Sequence, residues 1–62
     1  MKVIYRDTVW ELQGRRRVGD VIEEVGLNPH TVLAVRDGKL LTEDVVLGDA
    51  DELRLVAVIS GG

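Results

Sequence analysis

A single segment of the chain carries apolar residues at helical spacing. Val18, Val21, Ile22 and Val25 fall on one side of a helical projection, which is the pattern of a buried helix face. The intervening acidic residues form the solvent-exposed face: Asp20, Glu23 and Glu24. Gly26 ends the helix, because glycine adopts the left-handed conformation of a helix C-cap without steric cost. A chain with one short helix must build the rest of its core from β-strands packed against that helix.

Strand patterns flank this helix on both sides. The predicted strands are Lys2–Tyr5, residues 9–12, Val32–Arg36, residues 39–41 and residues 52–59. A charged interruption separates the first two strands, and the tight-turn sequence Asp37-Gly38 joins the third and fourth, so two hairpins are expected. The pattern predicts an α+β domain, with a mixed sheet of four to five strands in ββαββ(β) order and one helix packed across it.

Three polar segments separate these elements. Residues 13–17 are predicted to be a polar break, and residues 28–31 a turn, because at most one helical turn fits before the next strand. Residues 42–51 are acidic and are predicted to form a loop. Within that loop, Val46 and Leu47 are predicted to be buried anchors.

The final strand places two sets of side chains on opposite faces of the sheet. The set predicted to face the helix is Leu53, Leu55, Ala57 and Ile59. The set predicted on the outer face is Arg54, Val56, Val58 and Ser60. Exposed apolar residues on a small domain often mark contacts, so this second set is a candidate docking surface. The alternative is that Val56 and Val58 only cover a curved sheet.

The chain is too short for a deep active-site cleft. Its 62 residues predict one domain, over residues 1–60, that buries roughly 60% of the surface its unfolded form exposes. Gly61 and Gly62 are expected to form a flexible C-terminal tail. Cysteine is absent, which excludes a thiolate nucleophile and suits a reducing cytoplasm. No signal peptide or membrane-spanning run is recognisable, so we expect a soluble, cytoplasmic protein.

The net charge of −3 comes from the C-terminal half. Residues 1–31 hold five basic and five acidic side chains, whereas residues 32–62 hold three basic and six acidic ones. Nucleic-acid binding depends on Lys and Arg side chains that neutralise phosphates, so an acidic surface disfavours it. A basic protein surface is the better partner.

No residue pattern points to catalysis or to a bound metal. His30 is the only histidine, and without further histidines or cysteines it lacks partners for a common zinc site. Trp10 is more typical of packing in a strand than of a stacking platform for bases. The basic run Arg15-Arg16-Arg17 is predicted to be solvated. Nothing resembles a nucleophile with its base, a phosphate-binding loop or a general acid–base pair.

The element order, the length and two segments resemble those of the β-grasp, ubiquitin-like proteins. The segments are DELRLVAVISGG at residues 51–62, with its Gly-Gly ending, and TVLAVRDGK at residues 31–39, which resembles the central hairpin of the family. The resemblance covers essentially the whole chain. Within the superfamily the chain is most similar to the prokaryotic sulfur carriers, namely ThiS of thiamine biosynthesis, MoaD of molybdopterin synthase and the carriers for 2-thiouridine in tRNA, and to small archaeal-type modifier proteins.

This resemblance implies that the working group is the carboxylate of Gly62, presented on Gly61-Gly62. In the family, an activating enzyme of the ThiF or MoeB type adenylates that carboxylate with ATP and Mg. A cysteine desulfurase or rhodanese-like protein donates sulfur, a terminal thiocarboxylate forms, and an acceptor enzyme takes the sulfur. In some relatives the activated tail is joined instead to lysines of target proteins. The resemblance thus implies a protein co-substrate and not an enzyme, with no permanently bound cofactor and no nucleic-acid or membrane partner.

The acceptor stays open among tRNA uridine, thiazole, a molybdopterin precursor and lysine amines, although the short chain and the Val-Ile-Ser-Gly-Gly ending favour tRNA thiolation or conjugation. Two other interpretations also remain. In the first, the Gly-Gly end is only a frayed terminus or a remnant of processing or cloning. In the second, the β-grasp domain serves as a noncovalent protein-interaction module. For such a module the tail would be dispensable.

Overall fold

The structure is a computed structural model that describes residues 1–58. The strands in that range are β1 (Lys2–Tyr5), β2 (Thr8–Glu11), β3 (Arg16–Arg17), β4 (Val32–Arg36), β5 (Lys39–Leu41), β6 (Val46–Leu47) and β7 (Glu52–Ala57), and the helix is α1 (Val18–Glu24). The helix and the five longer strands lie where the sequence predicts them. The second strand starts and ends one residue earlier than expected. The final strand ends at Ala57, so Val58, which was predicted to belong to it, lies just beyond it, and the predicted last residue, Ile59, lies outside the described residues.

The main sheet has five strands in the order β2-β1-β7-β4-β5. β1 and β7 are parallel, and the other neighbouring strands are antiparallel. Parallel neighbours require a crossover connection, and here the crossover contains α1. The predicted α+β arrangement, a mixed sheet with one helix, is therefore confirmed. The strand β7 occupies the centre of the sheet, so its direction is fixed by hydrogen-bonded strands on both sides.

Two tight turns join the antiparallel hairpins. β4 and β5 are joined by Asp37 and Gly38, which have φ angles of 51° and 79°. A two-residue turn with positive φ at both positions matches the twist of the flanking strands, and Asp-Gly is a favoured sequence for it. The turn between β1 and β2 contains Arg6, with a φ of 52°, and Asp7. Both predicted hairpins are confirmed.

Backbone groups of a neighbouring loop cap the start of α1. The N–H groups of Val18 and Gly19 donate hydrogen bonds to the carbonyl oxygens of Val45 at 2.9 Å and Glu43 at 3.0 Å. The N-cap residue, Arg17, makes no side-chain cap. A Cβ added to Gly19 would lie 3.3 Å from the Cβ of Glu43. Glycine at this position therefore permits the close approach of the loop.

The helix ends in a Schellman motif at the predicted glycine. Gly26 has a φ of 86°, and its N–H donates to the carbonyl oxygen of Glu23 at 3.0 Å. The N–H of Leu27 donates to the carbonyl oxygen of Ile22 at 3.0 Å. These two bonds satisfy carbonyl groups that a helix end leaves without partners. Within residues 1–58, no helix has the length and apolar character needed to cross a membrane.

The predicted polar break and the predicted acidic loop contain a second, two-stranded sheet. β3 pairs with β6 in antiparallel orientation, with Arg16 opposite Leu47 and Arg17 opposite Val46. Strands of two residues carry no alternation that a sequence pattern reveals. Leu47 is fully buried, as predicted, but Val46 is 47% exposed, so the prediction that Val46 is a buried anchor is wrong. Successive strand residues point to opposite faces, and only one of this pair faces the core.

The hydrophobic core lies between α1 and the inner face of the main sheet. Its buried members are Met1, Val3, Val18, Val21, Ile22, Val32, Ala34, Leu47, Leu53 and Leu55. Trp10 is half-buried and packs against this cluster, which confirms its predicted packing role. The core uses one face of each main strand, so the opposite face of the sheet is left open to a partner.

Candidate functional site

The central strand β7 divides its side chains between the core and the outer face of the sheet. Leu53 and Leu55 are buried, and Ala57 is partly buried, which confirms the inward set for the residues described. On the other side, Arg54 is exposed, and Val56 and Val58 are each 44% exposed. The predicted exposure of these three candidates is confirmed, and their docking role stays a prediction.

The register of the strands arranges the outer face in rows that cross the sheet, since directly opposed residues of neighbouring strands point to one face. The first row is charged and contains Glu11, Lys2 and Glu52. The second row, which we call the central row, crosses all five strands and contains Val9, Ile4, Arg54, Val35 and Leu40. The third row is apolar and contains Leu33 and Val56. The outer face thus becomes more apolar along β7 toward Val58.

Three strongly exposed apolar residues of this face were not among the predicted docking residues. Leu40 is 68% exposed, Val9 52% and Leu33 44%. Their alternation with inward-facing neighbours in each strand is a signal that the sequence contains. Which strands are neighbours, and in what register, depends on the crossover and the hairpin turns. The sequence pattern could therefore have assigned each residue to a face but not assembled the rows.

The described chain leaves the sheet beside the turn that precedes β4. The N–H of Val58 donates to the carbonyl oxygen of Thr31 at 2.8 Å. The carbonyl oxygen of Asn28 accepts hydrogen bonds from the N–H and the hydroxyl of Thr31, both at 2.9 Å, and its side-chain Oδ1 accepts one from the N–H of His30 at 2.8 Å. The predicted turn is confirmed, and it positions the acceptor for Val58.

The remaining predicted site residues are Ser60, Gly61 and Gly62, and they lie outside the described residues. The structure nevertheless defines the surface from which they continue. Val58 follows the apolar end of the outer face, and its backbone is held by the turn described above. A partner that covers Val56 and Leu33 would therefore lie beside Val58, the last described residue.

The basic run is only partly solvated. Arg16 donates to the carbonyl oxygen of Gln13 from Nε at 3.3 Å and from Nη2 at 3.1 Å, and it forms an ion pair with Glu24. It thereby ties the segment before β3 to the end of α1. Arg15 and Arg17 are exposed, as predicted. The prediction fails for Arg16 because its partner Glu24 is brought close by the fold and not by adjacency in sequence.

One carboxyl group on the helix side of the molecule has a shifted pKa. The hydrogen bond from the Thr42 hydroxyl holds the pKa of the Asp44 carboxyl below its ordinary value, and the Asp44 backbone amide and the positive charge of Arg17 act in the same direction. This carboxyl borders a depression lined by Gly19 and Asp20, away from the outer face. No group of three or more His, Asp or Glu side chains within residues 1–58 is arranged to hold a metal ion.

The geometry consists of an apolar sheet face beside the point where the described chain ends, on a fold with one helix and a mixed sheet. The model of the ThiS family matches residues 3–62 of the chain. The chain belongs to the ThiS family. This match confirms the predicted relationship to the β-grasp sulfur carriers and the predicted β-grasp fold. The last residue that the family model matches is Gly62.

Two relatives cover most of this ThiS-family chain. It is 46% identical over 52 residues to the sulfur carrier protein TtuB of Thermus thermophilus, a match that covers 84% of this chain and 80% of TtuB. It is 38% identical over 52 residues to an uncharacterized protein of Archaeoglobus fulgidus, a match that covers 84% of this chain and 75% of that protein.

Proposed function

We propose that this ThiS-family protein is a sulfur carrier that bears its sulfur as a thiocarboxylate on Gly62. The observation that carries the proposal is the 46% identity over 52 residues to a protein named as a sulfur carrier. The family match, which extends through Gly62, supports placing the chemistry at that residue.

The proposed chemistry begins from a carboxylate that is ionised and unreactive at neutral pH, because the pKa of an α-carboxyl is about 3.3–3.7. One carboxylate oxygen of Gly62 attacks the α-phosphorus of ATP in the activating enzyme, and pyrophosphate leaves. The sulfur donor holds its sulfur as a persulfide, whose terminal sulfur attacks the carbonyl carbon as AMP leaves. A thiol reductant then cleaves the S–S bond of the resulting acyl disulfide, becomes part of a disulfide itself and releases the thiocarboxylate. The net change replaces one carboxylate oxygen with sulfur. Gly61 and Gly62 suit this step because a tail without side chains can enter a narrow channel.

The outer face is the proposed docking surface for the activating enzyme. Val56, Val58 and Leu33 supply exposed apolar area, and the hydrogen bond between Val58 and Thr31 fixes the backbone three residues before Gly61. An enzyme that binds this face would hold the tail in a defined direction, which converts a search for the carboxylate into a positioned reaction. The ATP and Mg belong to the activating enzyme, and the chain acts as its co-substrate.

Two fates for the activated tail remain within the proposal. An acceptor enzyme takes the sulfur, with tRNA thiolation favoured by the ending of the chain and thiazole or molybdopterin precursors as the other acceptors. Alternatively, lysine amines of target proteins attack the activated carboxylate and form an amide bond. In the first fate a cysteine desulfurase or rhodanese-like donor supplies sulfur to adenylated Gly62. In the second fate a lysine amine attacks the same adenylate, and AMP leaves.

A second candidate is a noncovalent protein-interaction module recognised through its sheet. The observation that favours it is the exposed apolar surface itself. Val9 and Leu40 lie on the two edge strands, β2 and β5, so the exposed apolar residues extend across the sheet and are not confined to the neighbourhood of Val58. For such a module, the tail residues would not affect binding or chemistry.

Carrier-dependent exchange of pyrophosphate into ATP separates these two functions. The protein is incubated with an activating enzyme of the sulfur-carrier type, MgATP and labelled pyrophosphate, beside a variant that lacks Gly61 and Gly62. The carrier proposal expects exchange with the wild-type protein and none with the shortened variant. Absence of exchange with both proteins, together with equal binding of both to the enzyme, would assign the chain to the noncovalent class.

A further inference from the structure

We propose that the partner which docks on the outer face places a carboxylate against Arg54, inside an otherwise apolar contact, and that this ion pair selects the partner. The inference deepens the proposed function and rests on it, since the partner is the activating enzyme. It concerns the chemistry of recognition at a single position and not the activation of Gly62.

The position of Arg54 in the central row carries the inference. On the outer face its direct neighbours are Ile4 on β1 and Val35 on β4, and beyond these lie Val9 on β2 and Leu40 on β5. A cation thus stands in the middle of four apolar residues that span the full width of the sheet. One step further along the same strand, the next outward residue is Val56, which is apolar and faces Leu33.

Among the described residues, Arg54 forms no ion pair with a neighbouring carboxylate. Arg54 shares a depression of about 250 Å³ with Glu52 and Asp37. The ion pairs found within residues 1–58 join Arg16 to Glu24 and Arg36 to Asp37 and Asp51, at distances of up to 3.8 Å, and none includes Arg54. Glu52 faces Lys2 directly across the sheet. The guanidinium of Arg54 therefore keeps its hydrogen-bond donors available to a partner.

Burial of this face without a counter-charge would be costly. A partner that covers Val9, Ile4, Val35 and Leu40 also covers Arg54, because it lies between them. A guanidinium removed from water without a carboxylate loses its hydration and gains no partner, whereas a planar carboxylate can accept two parallel hydrogen bonds from it. A purely apolar partner is thus disfavoured at this position, and an apolar partner with one central Asp or Glu fits.

Substitution by leucine gives opposite results for the two kinds of partner. If the partner presents a carboxylate, Arg54→Leu leaves that group buried and unpaired, and binding weakens by about tenfold or more. If the contact is purely apolar, Arg54→Leu completes an apolar row, and binding is equal or tighter. Arg54→Glu should weaken binding further than leucine, because two carboxylates would then face each other. Arg54→Lys should retain part of the affinity, because it keeps the charge and loses the two-pronged geometry.

The test is the affinity of each variant for the activating enzyme, measured by isothermal titration without ATP at low and high salt. Arg15→Leu is the matched control, since Arg15 is exposed outside the main sheet and its loss changes the net charge equally. Urea unfolding of each variant checks that the fold is kept. The expected result is a loss of affinity for Arg54→Leu, a weaker salt dependence than wild type, and no loss for Arg15→Leu.

Equal or tighter binding of Arg54→Leu would overturn the proposal, even if pyrophosphate exchange with the wild-type protein upholds the carrier function. If the wild-type protein binds the enzyme in an Arg54-dependent way but supports no pyrophosphate exchange, the carrier function is overturned. The contact between Arg54 and a carboxylate is then still supported. Sedimentation of the protein alone supplies a further check. A wild-type dimer that is lost in Arg54→Glu would assign the central row to a second copy of the chain and overturn the proposal.

Discussion

The backbone N–H of Val58 donates a hydrogen bond to the carbonyl oxygen of Thr31 at 2.8 Å. This bond extends the pairing of β7 with β4 by one step beyond the last strand residue, Ala57. The end of the described chain is therefore held against the start of β4, next to the most apolar part of the outer face. The bond thereby fixes the backbone at the last residue that the structure describes.

The turn around Asn28 should control this anchor. Asn28→Ala removes the side-chain oxygen that accepts the N–H of His30, and we expect a loss of about 0.5–1.5 kcal/mol in the free energy of unfolding and faster hydrogen exchange at the Val58 amide. Asn28→Asp keeps an acceptor oxygen and should behave like the wild-type protein. Native-state hydrogen exchange measures both variants. Unchanged protection of the Val58 amide in Asn28→Ala would show that the turn does not position the anchor.

The exposed apolar residues of the outer face should contribute to the affinity for the activating enzyme. Val56→Ser should weaken binding to the activating enzyme by about fivefold or more, as expected for a central apolar contact, with little change in stability. Val46→Ser is the control, because Val46 is similarly exposed, at 47% against 44% for Val56, and belongs to the other sheet. Titration of the enzyme with each variant gives the two affinities. Equal effects of the two substitutions would argue against the outer face as the docking surface.

Substitutions of Val46 and Leu47 test which of the two side chains of β6 faces the core. Leu47→Ala should cost about 2–5 kcal/mol of unfolding free energy, because Leu47 is fully buried in the core. Val46→Ala should change the unfolding free energy by less than about 0.5 kcal/mol, as is usual for surface substitutions. Urea unfolding followed by Trp10 fluorescence compares them. A larger cost at position 46 than at position 47 would reverse the assigned orientation of β6.

Gly19→Ala should destabilise the protein, although alanine has the higher helix propensity. Gly19 is the second residue of α1, where the preference for alanine over glycine is at most the value of about 1 kcal/mol found in a helix interior. A Cβ at this position would meet the Cβ of Glu43 at 3.3 Å. The loop cannot retreat freely, because its carbonyl groups hold the N–H groups of Val18 and Gly19. We therefore expect Gly19→Ala to lower the unfolding free energy by up to about 1 kcal/mol.

A double substitution separates the steric cost from the helix preference. In a Glu43→Gly background, the opposing Cβ is absent, and Gly19→Ala should become neutral or stabilising. Thermal unfolding of the single and double variants measures the coupling between the two sites. A gain of stability from Gly19→Ala alone would mean that the loop gives way and that its close contact does not require glycine.

The elements with strong local patterns could be predicted from the sequence. The helix is defined by its apolar spacing and by Gly26, and the β4–β5 hairpin by Asp37-Gly38, whose positive φ angles few other pairs adopt at low cost. The final strand is recognisable from its run of apolar and β-branched residues, whose alternating positions assign them to the two faces of the sheet. In each case the deciding interaction is between residues close in the chain, so the sequence pattern contains it.

Features that depend on distant partners could not be predicted in the same way. The pairing of Arg16 with Leu47 and the exposure of Val46 follow from the path of the chain between β5 and β7. The ion pair of Arg16 with Glu24 depends on how β3 lies against the end of α1. The central row has the same origin, because it joins one residue from each of five strands. Arg54 was a predicted candidate, but its apolar surroundings emerge only once the register is known.

The intact mass of the protein after reaction tests the central claim most directly. The wild-type chain and a variant lacking Gly61 and Gly62 are each incubated with the activating enzyme, MgATP and a sulfur donor, and their masses are recorded. We expect the wild-type mass to increase by the difference between one sulfur and one oxygen atom, while the variant mass stays the same. An unchanged wild-type mass with several cognate activating enzymes would show that Gly62 does not carry sulfur.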